Sequence, residues 1–322
     1  MTTDISRRTL MAGAAGGAAI AATGISPASA KAPMQGDARP VYRRVKLGDF
    51  EVTTIYDGHI ALDGPHPIFG MDQSADAVQA LAKENFLPPE KMTISFAPIV
   101  VNTGSELVLF DSGNGAARRP NAGLTRERLS AAGFAPEMID VVVLTHYHGD
   151  HIGGLMEDGK PAYPNARYFA SAAENNFWTA DAAMSGPTEG NAKLVQSNVV
   201  PLAEKTTFLD DGGSVVGGIT AVAANGHTPG HTAYHLESGG KRMLLWGDSC
   251  NHFVASMQRP DWHVRFDMDK EQAVAARKKV LGMVAADRIL ANGYHMPFPA
   301  MGYVEQDGDG FRWVPLSYQF DV

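Results

Sequence analysis

Short apolar runs separated by turn-forming residues dominate the chain, interspersed with stretches of helical spacing. Residues 31–45 read as a polar leading arm, and Phe50 to Leu62 alternates as a strand with a turn at Asp57-Gly58. Ala75 to Asn85 has the spacing of a helix that Pro88-Pro89 brings to an end. Met92 to Asn102 and Glu106 to Asp111 are β-rich runs joined by Thr103-Gly104-Ser105, the pattern of a hairpin. Thr125 to Ala132 is helical, with Gly133 as its C-terminal stop. Ile139 to Leu144 is almost continuously apolar, as a strand covered on both faces should be. Ala166 to Ala170 is a further strand, and Ser171-Ala172-Ala173-Glu174 has capping-box spacing at the head of a helix carrying Phe177 and Trp178. Ile219 to Ala224, Thr232 to Leu236 and Arg242 to Trp246 are strands. Asp269 to Asp287 is the strongest helix, capped by Asp269 and Gln272, with Ala273, Ala276, Val280 and Val284 on one face. Gly302 to Leu316 reads as a hairpin turning at Asp307-Gly308-Asp309-Gly310. Strands and helices occur in both halves with no internal repeat and no linker. This predicts one α/β domain over residues 31–322, built of two sheets covered by helices.

Composition narrows the class. The 322 residues carry 35 acidic and 27 basic side chains, a formal net charge of −8. Nucleic-acid binding needs a basic face, so no nucleic-acid partner is expected. The single cysteine, Cys250, excludes an internal disulfide and any thiolate-rich zinc site, and it reads as a buried spectator thiol. Residues 1–30 stand apart: Arg7-Arg8, an Ala/Gly-rich apolar run from Ala12 to Gly24, then Ala28-Ser29-Ala30. That order is a twin-arginine-type export signal, and it implies a periplasmic or secreted protein. Nothing else in the sequence is apolar enough to span a membrane.

The chemistry is concentrated in Thr145-His146-Tyr147-His148-Gly149-Asp150-His151, directly after the apolar strand. Three imidazoles and a carboxylate within six residues are the donor set of zinc and similar first-row ions. In an extended turn, His146 and His148 leave on the same side, while Asp150 and His151 point to a second position.

This H-x-H-x-D-H loop resembles the signature of the metallo-β-lactamase superfamily, and three later segments resemble it too. They are Gly226-His227-Thr228-Pro229-Gly230-His231, Gly247-Asp248-Ser249 after a short apolar strand, and Tyr294-His295-Met296-Pro297. The resemblance spans roughly residues 45–316 and implies a four-layer αβ/βα sandwich with its site on loops at one edge of the sheets. It assigns His146, His148 and His227 to one divalent ion and Asp150, His151 and His295 to a second, with Asp248 bridging. Zinc is the first expectation for the pair, with manganese, iron or cobalt as alternatives. It also implies a bridging hydroxide as nucleophile, with Asp150 and Asp248 as the catalytic carboxylates.

Within the superfamily, Asp248 together with His295 resembles the dinuclear branch. The Lys46-Leu47-Gly48-Asp49 opening, Phe177-Trp178 and the His295 to Pro315 end are similar to methyl parathion hydrolase and its lactonase and arylesterase relatives. The resemblance implies hydrolysis of a small lactone or aryl ester, with organophosphate triesters as the alternative, and the acidic balance suits a neutral substrate. β-Lactam hydrolysis and a non-catalytic metal carrier are more distant readings. Phe177 and Trp178 are candidates for the pocket wall. Dimers are common in the resembled families, so a homodimer is an expected partner arrangement.

Overall fold

The computed structural model describes residues 32–34, 40–318 and 320–322. Residues Met1–Arg39 form a unit of their own, of which only 32–34 are described, outside regular structure. The export signal expected at 1–30 lies outside the described residues. The remainder, Pro40–Val322, is a single compact unit.

Its frame is a pair of seven-stranded sheets. The first runs, in spatial order, Tyr42–Leu47, Phe50–Ile55, Ile99–Asn102, Leu107–Phe110, Val141–Val143, Arg167–Ser171 and Thr206–Leu209. The second runs Ser214–Val216, Ile219–Ala223, Thr232–Ser238, Lys241–Leu245, Leu290–Asn292, Met301–Asp307 and Gly310–Pro315. Antiparallel pairing prevails, but Val141–Val143 lies parallel to both Leu107–Phe110 and Arg167–Ser171, and Lys241–Leu245 lies parallel to Leu290–Asn292.

Strand alternation builds the layers. Val141 and Val143 join Val108, Val101, Tyr234, Met243 and Leu245 in the core between the sheets. Val142 and Leu144 point the other way, into a core shared with Leu129, Trp178 and Val195 on the covering helices. In the second sheet, Leu244 and Ala291 face outward against Val280, Leu281 and Val284 of the helix Lys270–Asp287. Each sheet is thus buried on both faces, which gives the expected helix–sheet–sheet–helix order.

Several local expectations need correction. The arm at 31–45 ends in a strand: Tyr42–Leu47 pairs in register with Phe50–Ile55, and only its Val45 and Leu47 are buried, too short an apolar signal to stand out. The run 50–62 is two strands in different sheets, Gly58–Leu62 pairing with Met92–Phe96 in a two-stranded ribbon. Met92 to Asn102 likewise divides at Ala97-Pro98, because Ile99–Asn102 returns to the first sheet. The helix Glu189–Asn198 and the strands Thr206–Leu209, Ser214–Val216 and Leu290–Asn292 were not apparent in the sequence, being short or largely polar. The hairpin at 302–316 and the Asp269 cap, whose side chain accepts from Gln272 N at 2.9 Å, are as expected.

The parallel pairs matter for the site. Leu107–Phe110 and Val141–Val143 end side by side, as do Lys241–Leu245 and Leu290–Asn292. Their C-terminal loops carry Asp111, His146 to His151, Asp248 and His295 to one edge of the sandwich. Thr232 N donates to Thr145 O at 2.9 Å, tying the head of a strand of the second sheet to the loop after Val141–Val143 at that edge.

Candidate metal centre

The four motif loops converge. Three donor groups form, His146/His148/His227, His146/His151/Asp248 and Asp150/His151/His295, each with its ligand atoms within 4.8 Å of one another. His148 Nδ1 lies 3.1 Å from His146 Nε2 and 2.9 Å from His227 Nε2. Asp150 Oδ2 lies 3.6 Å from His151 Nε2 and 3.5 Å from His295 Nε2. Asp248 stands between the two sets: Oδ2 is 3.2 Å from His227 and 3.1 Å from His295, and Oδ1 is 3.4 Å from His151.

Electrostatics makes this cluster a trap for positive charge. Burial holds His146 well below its usual range and brings His148 down to about 3, so both rings are neutral and offer lone pairs. Burial also opposes charge on His227, yet Asp248 and Asp267 outweigh it and lift the ring to about 9. Asp248 is buried too, but His295, His151 and His227 hold its carboxyl well below the usual carboxylate range. His151 Nε2 and Asp248 Oδ1 are buried with no hydrogen-bond partner among the described residues. Buried inward-facing polar atoms without a partner are costly unless a cation, replacing any ring proton, satisfies them, so the donor set fits divalent ions.

The rings are aimed by groups outside the cluster, as metal-binding imidazoles usually are. Asp111 accepts from His151 Nδ1 at 2.8 Å and from Thr145 N and Oγ1, both at 2.9 Å. Asp267 accepts from His227 Nδ1 at 2.8 Å and is itself gripped by Arg277 Nη2 at 2.7 Å. His295 Nδ1 donates to Ser95 O at 2.9 Å. His231 Nε2 accepts from Asp248 N at 2.9 Å, a supporting role rather than a ligating one.

Glu174 is the least obvious member. Its carboxylate is fully buried and accepts from Tyr147 N (2.8 Å), Trp178 Nε1 (2.8 Å), Thr228 Oγ1 (2.7 Å) and Gly230 N (2.9 Å). One side chain therefore binds the His146–His148 loop to the His227 loop. Gly230 permits this, because a Cβ there would lie 2.0 Å from Glu174 N. Asp111, Glu174, Asp267 and Arg277 escaped the motif reading. Of these, only Asp111 carried a signal, an acid directly after an apolar strand.

A cavity of about 240 Å³ opens beside the cluster. Ile60, Phe69, Ile94, Phe96 and Phe266 form its apolar wall, Asn191, Asn251 and Arg118 its polar positions, and His148, Asp150, His227, Asp248 and His295 its floor. Neither expected aromatic lines it. Trp178 is buried behind His148, with ring centroids 6.1 Å apart, and its indole N–H is consumed by Glu174; Phe177 packs on the adjoining core. Cys250 is buried, and burial pushes its thiol up to about 12, consistent with a spectator.

Comparison with known proteins agrees with this geometry. The family model of the metallo-beta-lactamase superfamily matches residues 98–291. Two solved structures share the fold at 27% identity. AidC, a dizinc quorum-quenching lactonase in complex with the product N-hexanoyl-L-homoserine, has a TM-score of 0.79 and covers 86% of this chain and 98% of that one. The hydrolase AbOPH has a TM-score of 0.81 and covers 88% of this chain and 100% of that one. Atrochrysone carboxyl ACP thioesterase of Passalora fulva is 26% identical over 199 residues, 60% of this chain and 48% of its own, so the match spans about half that relative's length.

Proposed function

The chain belongs to the metallo-beta-lactamase superfamily, and from that premise we propose that it is a dinuclear metallohydrolase acting on a lactone or aryl ester. The observation that carries this reading is Asp248, whose two oxygens address both donor sets. His146, His148 and His227 would hold one ion, and Asp150, His151 and His295 the other. Two divalent ions would supply Lewis-acid polarisation of the carbonyl and a nucleophile from water near neutral pH.

The chain's own groups do the rest. The neutral rings of His146 and His148 keep lone pairs turned toward the donor cluster. Asp150 is the more exposed carboxylate, with its side chain at 22% against 5% for Asp248, and its backbone is fixed by Tyr294 Oη donating to Asp150 O at 2.7 Å. It is the group placed to pass a proton to the leaving oxygen. The apolar wall of Ile60, Ile94, Phe69 and Phe96 excludes water and suits an acyl or aryl substituent. The likeness to AidC, solved with a lactone-derived product, supports a lactone; the organophosphate alternative uses the same floor with a phosphorus centre. We also propose export through residues 1–30.

The test is kcat/KM after reconstitution with metal for an acyl-homoserine lactone, dihydrocoumarin, 4-nitrophenyl acetate, methyl parathion and a penicillin. Turnover highest on the lactones and the aryl ester is expected. Turnover of the penicillin alone would overturn the reading.

A further inference from the structure

Among the cavity-lining residues outside the ligand set, Arg118 is the one cation, and it is exposed at the edge of the cavity. Its neighbour Arg119 is consumed: Nε donates to Gly123 O at 2.9 Å, and Nη1 and Nη2 grip Glu157 at 2.8 and 3.1 Å. Arg126 also reaches Glu157, at 3.2 Å. The Arg118 guanidinium, by contrast, makes no hydrogen bond or ion pair among the described residues; only its backbone is bonded, to Gly115 O and from Ala122 N.

The turn that carries it is seated on the metal loop. Ser112 N donates to His151 O at 2.8 Å and Gly154 N to Gly113 O at 3.0 Å. The two segments touch so closely that a Cβ on Gly115 would lie 2.0 Å from Gly153 O. The backbone that carries Arg118 is therefore anchored to the loop of Asp150 and His151, and its exposed side chain is free to reach a ligand in the cavity. The acids of the cavity, Asp150 and Asp248, belong to the floor with His148, His227 and His295, and the remaining lining is apolar, glycine or amide. A guanidinium left without a protein partner beside an apolar cavity matches a planar carboxylate on the ligand.

We propose that Arg118 is a specificity-determining residue that takes a carboxylate on the substrate, remote from the scissile bond, so that the preferred substrate is an acidic ester or lactone. This rests on the hydrolase reading and revises the neutral substrate expected from composition. The overall charge of −8 concealed the point, because it reports the whole surface and not the cavity.

The experiment compares mono-4-nitrophenyl adipate with 4-nitrophenyl hexanoate, equal in length and differing in the terminal carboxylate, on wild type, Arg118→Met and Arg118→Lys, all metal-loaded. Wild type is expected to favour the adipate ester about tenfold in kcat/KM, a difference of about 1.4 kcal/mol, carried by KM and reduced by added salt. Arg118→Met should abolish the preference and Arg118→Lys should retain part of it. Equal preference ratios in all three proteins would overturn the proposal. Calorimetric binding of the adipic monoanilide against hexananilide separates the two readings. If neither ester is turned over but the acid binds at least tenfold tighter in an Arg118-dependent manner, the hydrolase reading fails and the Arg118 assignment stands. Binding indifferent to Arg118 would overturn the assignment.

Discussion

His231 shows how one buried side chain can make the site sensitive to acid. Its ring is fully buried, with Nδ1 donating to Ala224 O at 3.1 Å and Nε2 accepting from Asp248 N at 2.9 Å. The bond accepted at Nε2 requires the neutral ring, with its proton on Nδ1. Burial, with His227 adding to it, lowers the ring to about 3. The fold favours the neutral form, so this stabilisation is complete above the ordinary histidine value near 6.5 and is lost as pH falls toward 3. Urea unfolding of the metal-free wild type and His231→Gln at pH 7 and 4.5 measures it. The advantage of wild type should shrink by roughly 2–3 kcal/mol at the lower pH. An unchanged difference would show that the ring is not held neutral.

At the same scale, legibility depended on sequence distance. His146, His148, Asp150 and His151 announced themselves because their donors crowd one loop. Glu174 did not, because its partners at Tyr147 and Thr228 lie 27 and 54 positions away. In the sequence it reads as a capping-box glutamate. The Ser171 cap is indeed formed, but the Glu174 carboxylate turns into the site instead of back to its own helix.

The helix Lys270–Asp287 carries the corresponding lesson for elements. Its apolar spacing is legible at Ala273, Val280 and Val284, but Ala276 is only half-buried and the face continues through Arg277 and Leu281. Arg277 is fully buried. Its Nε donates to Ser249 O at 3.2 Å, Nη1 to Pro260 O and Trp262 O at 2.8 and 3.1 Å, and Nη2 to Asp267 Oδ2 at 2.7 Å. One helix thereby braces the turn after Asp248 and, through Asp267, the ring of His227. An arginine inside an apolar face has no period to betray it; only the third dimension supplies its partners. Arg277→Met would leave Asp267 buried without its cation and should cost about 3–5 kcal/mol in urea unfolding. Asp267→Asn should weaken metal binding about 10–100-fold in a competitive chelator titration. Wild-type values for both would show that the brace is incidental. Strands are legible where both faces are apolar, as at Val141–Val143, and illegible where an edge position leaves most side chains at least partly exposed, as at Tyr42–Leu47 and Thr206–Leu209.

For the whole molecule, two sheets buried on both faces turn the ends of their parallel strands to one edge, and every motif loop leaves from that edge. The order of the loops in sequence fixed neither their meeting point nor the cavity beside it. The aromatic pair Phe177-Trp178 was expected in the wall and is packed behind the floor, while the wall comes from Ile60, Ile94 and Phe96 on the two-stranded ribbon. That ribbon pairs residues thirty or more positions apart in a sheet of its own, so no local pattern points to it.

The central claim is that Asp248 holds two cations in one site. Elemental analysis of reconstituted wild type and Asp248→Ala, read beside ester turnover of the same samples, tests it most directly. Two equivalents per chain are expected in wild type, with at most one in the variant and a loss of turnover of about a thousandfold, the order seen when a transition-state stabiliser is removed. Full turnover in protein holding one ion or none, or an Asp248→Ala variant that keeps both ions and its rate, would contradict the account.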